Sequence, residues 1–296
     1  MLRNMLYSHQ PLNTNHSALT KMEPIIISVA PNGARKTKND HPNIPLEIDE
    51  IAEDARQCAE AGATFLHMHI RDKNLGHTLD VETYRQAIKA VRAATANKMI
   101  IQVTSEAVGI YKPPEQMKMV MDLRPESVSL SIREIIPKPD YENTAKEFFT
   151  FLNKEEILPQ FILYDTDDVK YFSDLRKREI IPQEKVFVLF VLGKKSGIVK
   201  EATVSDLDPF LECFADGYLK LADTVWSVTA FGKNELAIMK KTIECGGHPR
   251  IGFENNQLIA DGSTAENNAA LVKQLVKTIS ESGRKLADIT TTRHLL

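Results

Sequence analysis

The chain is 296 residues long, 43% hydrophobic and 26% charged, with a formal net charge of −3. That balance fits a globular protein with a large apolar core, arranged as one barrel-sized domain or two ordinary ones. It leaves no basic surplus for nucleic acid, and no apolar run approaches the roughly 18–20 residues of a membrane helix.

Cys58, Cys213 and Cys245 are widely separated in helical patterns, with no Cys-x-x-Cys, which fits a reduced, cytoplasmic compartment without a disulfide framework. Residues 1–22 contain no Asp or Glu. Their few basic residues make a poor transit peptide, and no long apolar core marks a secretory signal. They are expected to form a flexible N-terminal arm, with Met22 as a second candidate start and residues 23–296 as the folded domain.

From residue 25 onward, short β-rich runs alternate with helical patterns. Residues 25–30 read as the first strand. Ile51, Ala52, Ala55, Cys58 and Ala59 then mark one face of a helix that Gly62 closes. The second strand, 64–72, is short, apolar and unbroken, so it reads as buried on both faces. Side chains at i and i+2 of a strand point the same way, which puts Phe65, His67 and His69 on one face. Two neutral imidazoles at that spacing can converge on one divalent metal, whereas a lone histidine would more often be a hydrogen-bonded core residue.

A helix follows over 81–94, then a third strand over 99–103, whose exit loop carries Thr104 and Glu106 and leads to a helix start at Pro113-Pro114. The fourth strand is expected over 127–132, the fifth over 161–164, the sixth over 186–192, the seventh over 224–228 and the eighth over 250–254. The polar, lysine-rich stretch 194–204 reads as a mobile, solvated loop above the sixth strand. Ser263-Thr264-Ala265-Glu266 has the pattern of a capping box for a last long helix.

Eight such alternations predict a single-domain (β/α)8 barrel, with a doubly wound open sheet as the alternative. No G-x-G-x-x-G follows the first strand and no phosphate-binding loop motif occurs, so nucleotide binding lacks support. Barrel chemistry gathers at the C-terminal strand ends, which here carry Arg35, His67, His69, Thr104, Ser129, Ser131, Glu254 and Asn255. Glu254 is the acid placed to join the two imidazoles; its mundane role would be to pair with Arg250. Two histidines and one carboxylate leave open positions, as catalytic zinc requires, and the same set suits Fe(II). A cupin would place a glutamate just after the second histidine, where Lys73 and Asn74 stand. An amidohydrolase barrel would carry further histidines between His77 and His248, and there are none.

The motifs AGATFLHMHIRD, IIQVT followed by AVG, RPESVSLS, FVLG, WSVTAFG, GGHPRIGFENN and AENNAALV run in order from about residue 24 to 271. With them the sequence resembles the β-keto acid cleavage enzyme family. The resemblance implies a zinc-dependent barrel that condenses a β-keto acid with acetyl-CoA, a coenzyme A thioester, and releases acetoacetate and a new acyl-CoA. It also implies a homo-oligomer, a tetramer. His67, His69 and Glu254 would be the zinc ligands, Thr104 and Ser129 hydroxyls near the substrate, and Arg250 the arginine that orients the catalytic carboxylate.

Three departures from the family pattern stand out. Asn255 occupies the position of the aspartate base, and an amide cannot take a proton at neutral pH. The Gly-Gly after the third strand is lost, with Glu106 in its place. Arg35 stands where the family's amino-keto acid member has an acid, so a substrate with a second negative charge is expected. On this reading Asn255 limits the chemistry, and Glu106 is the competing source of the missing base. A zinc-assisted hydrolase or lyase using a water nucleophile, and a keto-acid-binding barrel without turnover, are the other readings.

Overall fold

The computed structural model describes residues 23–195 and 198–296; the expected arm at 1–22 lies outside the described residues. Eight parallel strands close into a barrel: β1 (Ser28–Val29), β2 (Phe65–Met68), β3 (Ile100–Thr104), β4 (Ser127–Ser131), β5 (Leu158–Leu163), β6 (Val186–Leu192), β7 (Thr224–Ala230) and β8 (His248–Ile251). Each pairs with its sequence neighbours, and β1 closes the ring by pairing with both β2 and β8. This is the expected (β/α)8 architecture, and the open sheet is excluded.

Some strands are apolar without alternation, whereas Ser127–Ser131 alternates serine with valine and leucine. Every residue of Val186–Leu192 is buried, as a parallel strand covered on both faces requires. The helices begin and end at local signals. In α1 (Ile48–Ala61) a capping box joins Glu47 and Glu50, and Gly62 closes the helix at φ 118°. In α2 (Val81–Ala94) the Asp80 side chain accepts from the Thr83 amide. Then come α3 (Pro113–Leu123), a single turn α4 (Ile132–Ile135), α5 (Glu142–Lys154), α6 (Thr166–Lys177), α7 (Asp208–Ala215), α8 (Glu235–Glu244), α9 (Asn268–Glu281) and α10 (Ile289–Leu295).

Several expected boundaries move. The eighth strand is His248–Ile251 rather than 250–254, because Gly252 adopts φ 136° and turns the chain out of the sheet. The last long helix starts at Asn268, and Ser263–Glu266 does not cap it. Asn267 is the cap, accepting from the Ala270 amide at 2.9 Å, while Leu258 and Thr264 form a β-bridge upstream. The stretch after β6 is not simply a solvated loop. Lys194–Lys195 pairs antiparallel with Ile198–Val199 as a small hairpin. A second hairpin, Ile70–Arg71 with His77–Thr78, follows β2.

The barrel interior is layered. Ile26, Phe65, Ile100 and Phe187 plug the bottom, with Phe65 and Phe187 edge to face at 5.7 Å. Above them lies a polar belt in which Gln102 donates to Gln160 at 3.2 Å and Gln160 to Ser227 at 2.9 Å. Leu189, Val191 and Phe231 form a small apolar wall near the mouth. Alternation along β2 therefore puts Phe65 in the plug and His67 two residues higher, at the level where chemistry is placed.

Behind β8, Asp54 of α1 is buried and accepts from Asn268 Nδ2 at 3.1 Å, while Asn268 Oδ1 receives the Phe253 amide at 2.7 Å. Burial pushes the Asp54 carboxyl up to about 7. A folded-state pKa above the unfolded one means that the native state binds the extra proton, so this group costs stability as pH rises from the ordinary carboxylate range through 7. Asp54→Asn keeps an acceptor for Asn268 and removes the buried charge. It is expected to raise Tm by a few degrees at pH 8 and much less at pH 5. Thermal unfolding at the two pH values checks this, and equal shifts at both contradict it.

Candidate active site

His67 leaves the end of β2 pointing inward, and His69 follows in the segment just beyond the strand. Asn32, from the β1–α1 loop, clamps the His69 backbone on both sides: its Oδ1 accepts from the His69 amide at 3.3 Å and its Nδ2 donates to the His69 carbonyl at 2.9 Å. Both rings are almost fully buried, and their Nε2 atoms approach to 3.1 Å. Glu254 Oε2 lies 3.6 Å from each of those nitrogens.

Two glycines make room for that carboxylate. A Cβ at Gly252 would lie 2.3 Å from the Ala30 carbonyl oxygen, and one at Gly33 would lie 2.8 Å from Glu254 Cγ. The turn at Gly252 lets the Glu254 amide donate to Ala30 O at 3.1 Å, which carries its side chain over the barrel mouth. Arg250, four residues earlier and 3% exposed, meets Glu254 Oε2 at 2.7 Å.

His67, His69 and Glu254 form a three-residue cluster whose ligand atoms all lie within 4.8 Å of one another. The cluster fits a cation, and the hydrogen bonds explain why. His67 Nδ1 lies 2.8 Å from Gln102 Oε1, an acceptor, so that nitrogen carries the proton and Nε2 presents a lone pair to the cluster. Burial holds the His67 imidazole well below its usual pKa, so it is neutral. Burial by itself would raise the Glu254 carboxyl, but Arg250 and the two histidines carry it well below the usual range. The His67 lone pair and the Glu254 carboxylate are thus turned toward one point that His69 also reaches, a donor set that suits a divalent ion.

Beside the cluster opens a cavity lined by His67, Thr104, Glu106, Ser129, Arg250, Glu254 and Asn255 among others. Most residues expected at the site therefore meet in one place. Thr104 Oγ1 accepts from the Glu106 amide at 3.0 Å and so shapes the turn that presents Glu106. Ser129 Oγ is buried without a hydrogen-bond partner. The Asn255 side chain is oriented by Thr229, whose hydroxyl donates to its Oδ1 at 2.8 Å, leaving Nδ2 buried and unpartnered.

Arg35 does not line the cavity. Its side chain is 64% exposed and stands at the rim, with NH1 3.5 Å from Glu106 Oε1. Glu106 Oε2 lies 3.9 Å from His69 Nδ1. Lys194, Glu134 and Tyr164, which the sequence reading had not marked, also line the cavity. Glu134 sits on the single turn after β4 and accepts from Ala107 N at 2.9 Å and Gln116 Nε2 at 3.0 Å; burial raises its carboxyl above the usual range. Only its place just beyond the fourth strand could have signalled it.

The family model for the beta-keto acid cleavage enzyme matches residues 24–296. The chain belongs to that family. It is 30% identical over 280 residues to the 3-keto-5-aminohexanoate cleavage enzyme of Fusobacterium nucleatum, covering 93% of this chain and 98% of that one. It is 27% identical to the 3-oxoadipate:acetyl-CoA acetyltransferase of Cupriavidus necator, covering 93% and 95%. Among solved structures, the ternary complex of ObcA with C4-CoA adduct and oxalate superposes with a TM-score of 0.66 at 15% identity, covering 86% of this chain and 67% of that one. That likeness concerns the barrel fold alone. Among the described residues no helix is long and apolar enough to cross a membrane.

Proposed function

We propose that this member of the family is a zinc-dependent, acetyl-CoA-dependent β-keto acid cleavage enzyme of the cytoplasm, working as a homo-oligomer on a substrate that carries a second negative charge. The observation that supports it most is the convergence of His67, His69, Glu254 and Arg250 on one cavity of a barrel belonging to this family. When bound there, zinc supplies Lewis acidity that stabilises the enolate of the β-keto acid. Every other part is assigned to the chain itself. Arg250 fixes Glu254. Ser129 Oγ, a buried hydroxyl without a partner, faces a substrate oxygen, while Asn255 stands where the base belongs.

The reaction balances without a redox partner. A base removes a proton from the carbon between the keto and carboxylate groups, and that carbon attacks the thioester carbonyl of acetyl-CoA, expelling CoA thiolate. The thiolate adds to the original keto carbon, the bond from that carbon to the central one breaks, the base returns its proton to the central carbon, and acetoacetate and a new acyl-CoA leave. Arg35 and Lys194 set two cations against the single carboxylate of Glu106 at the mouth, which favours an anionic tail over an ammonium.

A screen of β-keto acids with zinc-loaded protein tests this reading. Substrate loss that requires acetyl-CoA and yields acetoacetate is the expected result. Loss without acetyl-CoA would instead make the protein a zinc-assisted hydrolase or lyase, and binding without turnover would make it a keto-acid-binding barrel.

A further inference from the structure

We propose that Lys194, rather than Arg35, is the residue that reads the far carboxylate of the substrate, by exchanging its partner Glu106 for that carboxylate. The inference rests on the proposed preference for a doubly charged β-keto acid and names the residue that produces it.

Lys194 owes its place to a turn that only glycine accepts. Gly193 ends β6 at φ 80°, and a Cβ there would lie 2.5 Å from the Lys200 carbonyl oxygen. The chain folds back so that the Lys200 amide donates to Gly193 O at 2.7 Å, and the hairpin sets Lys194 opposite Val199. The Lys194 side chain is thereby only 20% exposed and lines the same cavity as His67, Ser129 and Arg250. Its ammonium lies 5.8 Å above the Phe231 ring, a contact that favours the cation at the cavity wall.

The pairing of Lys194 is loose and shared. Its Nζ lies 3.5 Å from Glu106 Oε1, and Arg35 NH1 lies 3.5 Å from that same oxygen. Both separations are long for a charge-assisted hydrogen bond, which normally closes to about 2.7–2.9 Å. A carboxylate arriving through the cavity can take Lys194 while Glu106 keeps Arg35, so the exchange leaves no buried charge unpaired. Of the other acids on the cavity wall, Glu134 is already held by Ala107 N and Gln116 Nε2, and Glu254 by Arg250. A neutral-tailed substrate offers nothing to exchange and leaves the Lys194–Glu106 pair closed.

The test compares 3-oxoadipate with 3-oxohexanoate, which has the same chain length and a neutral end, in wild type, Lys194→Met, Lys194→Arg and Arg35→Met. Lys194→Met is expected to lower kcat/KM for 3-oxoadipate by roughly 10- to 100-fold, the loss of one charge-assisted contact, and to affect 3-oxohexanoate far less. Lys194→Arg should restore most of the preference, and Arg35→Met should reduce it much less than Lys194→Met does. An unchanged preference in Lys194→Met overturns the inference. If Arg35→Met alone abolishes the preference, the reader is Arg35, and the proposed function stands without Lys194. Calorimetric binding of 3-oxoadipate to wild type and Lys194→Met gives a reading independent of turnover, and equal affinity in the two proteins also overturns the inference. A wild type that binds 3-oxoadipate through Lys194 yet never consumes it with acetyl-CoA would sink the proposed function and leave the carboxylate site supported.

Discussion

Wild type is expected to purify with a divalent metal, and a His67→Ala/His69→Ala double variant without it, with the acetyl-CoA-dependent turnover expected of wild type reduced on the order of 10³-fold or more. The expectation follows from the hydrogen bonds around the cluster. His67 Nδ1 is committed to Gln102 Oε1, so its remaining nitrogen is a lone pair facing His69 and Glu254. Gln102 is itself held by Gln160 and Ser127, so the His67 ring stays oriented whether or not an ion is present. Removing both imidazoles leaves a single carboxylate, already paired to Arg250, and one such ligand cannot retain a divalent ion in an open site. Elemental analysis gives the readout, with circular dichroism to show that the barrel is intact. Equal metal in wild type and variant would remove His67 and His69 from the metal site. Glu254→Gln, which keeps the side chain's size, is expected to weaken metal binding as well.

The second large effect is expected at the base. Asn255→Asp should raise turnover of β-keto acids in the presence of acetyl-CoA, since general-base catalysis contributes roughly 10²–10⁴-fold. An aspartate fits the site as it stands. Thr229 can donate to its Oδ1 as it does to the asparagine, and the second oxygen would take the place of the unpartnered Nδ2 on the cavity wall. Arg250 lines the same cavity, and its positive charge would keep the new carboxylate ionised but weaken it as a base, so the gain should fall at the lower end of that range. Glu106 is the competitor, because its Oε2 lies 3.9 Å from His69 Nδ1. Its other oxygen, however, is shared between Arg35 and Lys194, which suits a counter-ion better than a proton acceptor. Glu106→Gln is therefore expected to alter substrate preference more than rate. Single-turnover rates for wild type, Asn255→Asp and Glu106→Gln decide between them: no gain in the first variant with collapse in the second moves the base to Glu106.

Much of this was legible in the sequence, for physical reasons. Parallel barrel strands are buried on both faces, so runs such as Val186–Leu192 stand out without alternation. The period of two fixes His67 above Phe65 from the order of residues alone. What was not legible depended on contacts between distant segments. Strand eight looked longer than it is because Ile251 and Phe253, either side of Gly252, both read as strand residues, and only Gly252's φ of 136° shows the turn. The start of α9 went to the more obvious Ser-Thr-Ala-Glu pattern, although Asn267 caps it. Asn32 and Gln102, which orient the two histidines, look in the sequence like an ordinary loop amide and a stray polar strand residue. Lys194 looked like one of several solvated lysines, because nothing local records that Gly193 folds it back over the cavity.

The central claim is that the two-carbon unit of the keto acid changes acyl partner within this cavity. It is tested most directly with acetyl-CoA carrying carbon-13 in both acetyl carbons and unlabelled 3-oxoadipate, the products being read by mass spectrometry. The account predicts acetoacetate labelled in its acetyl half only, together with an unlabelled new acyl-CoA built on the remainder of the keto acid. Unlabelled products, or loss of 3-oxoadipate at the same rate without acetyl-CoA, would contradict it.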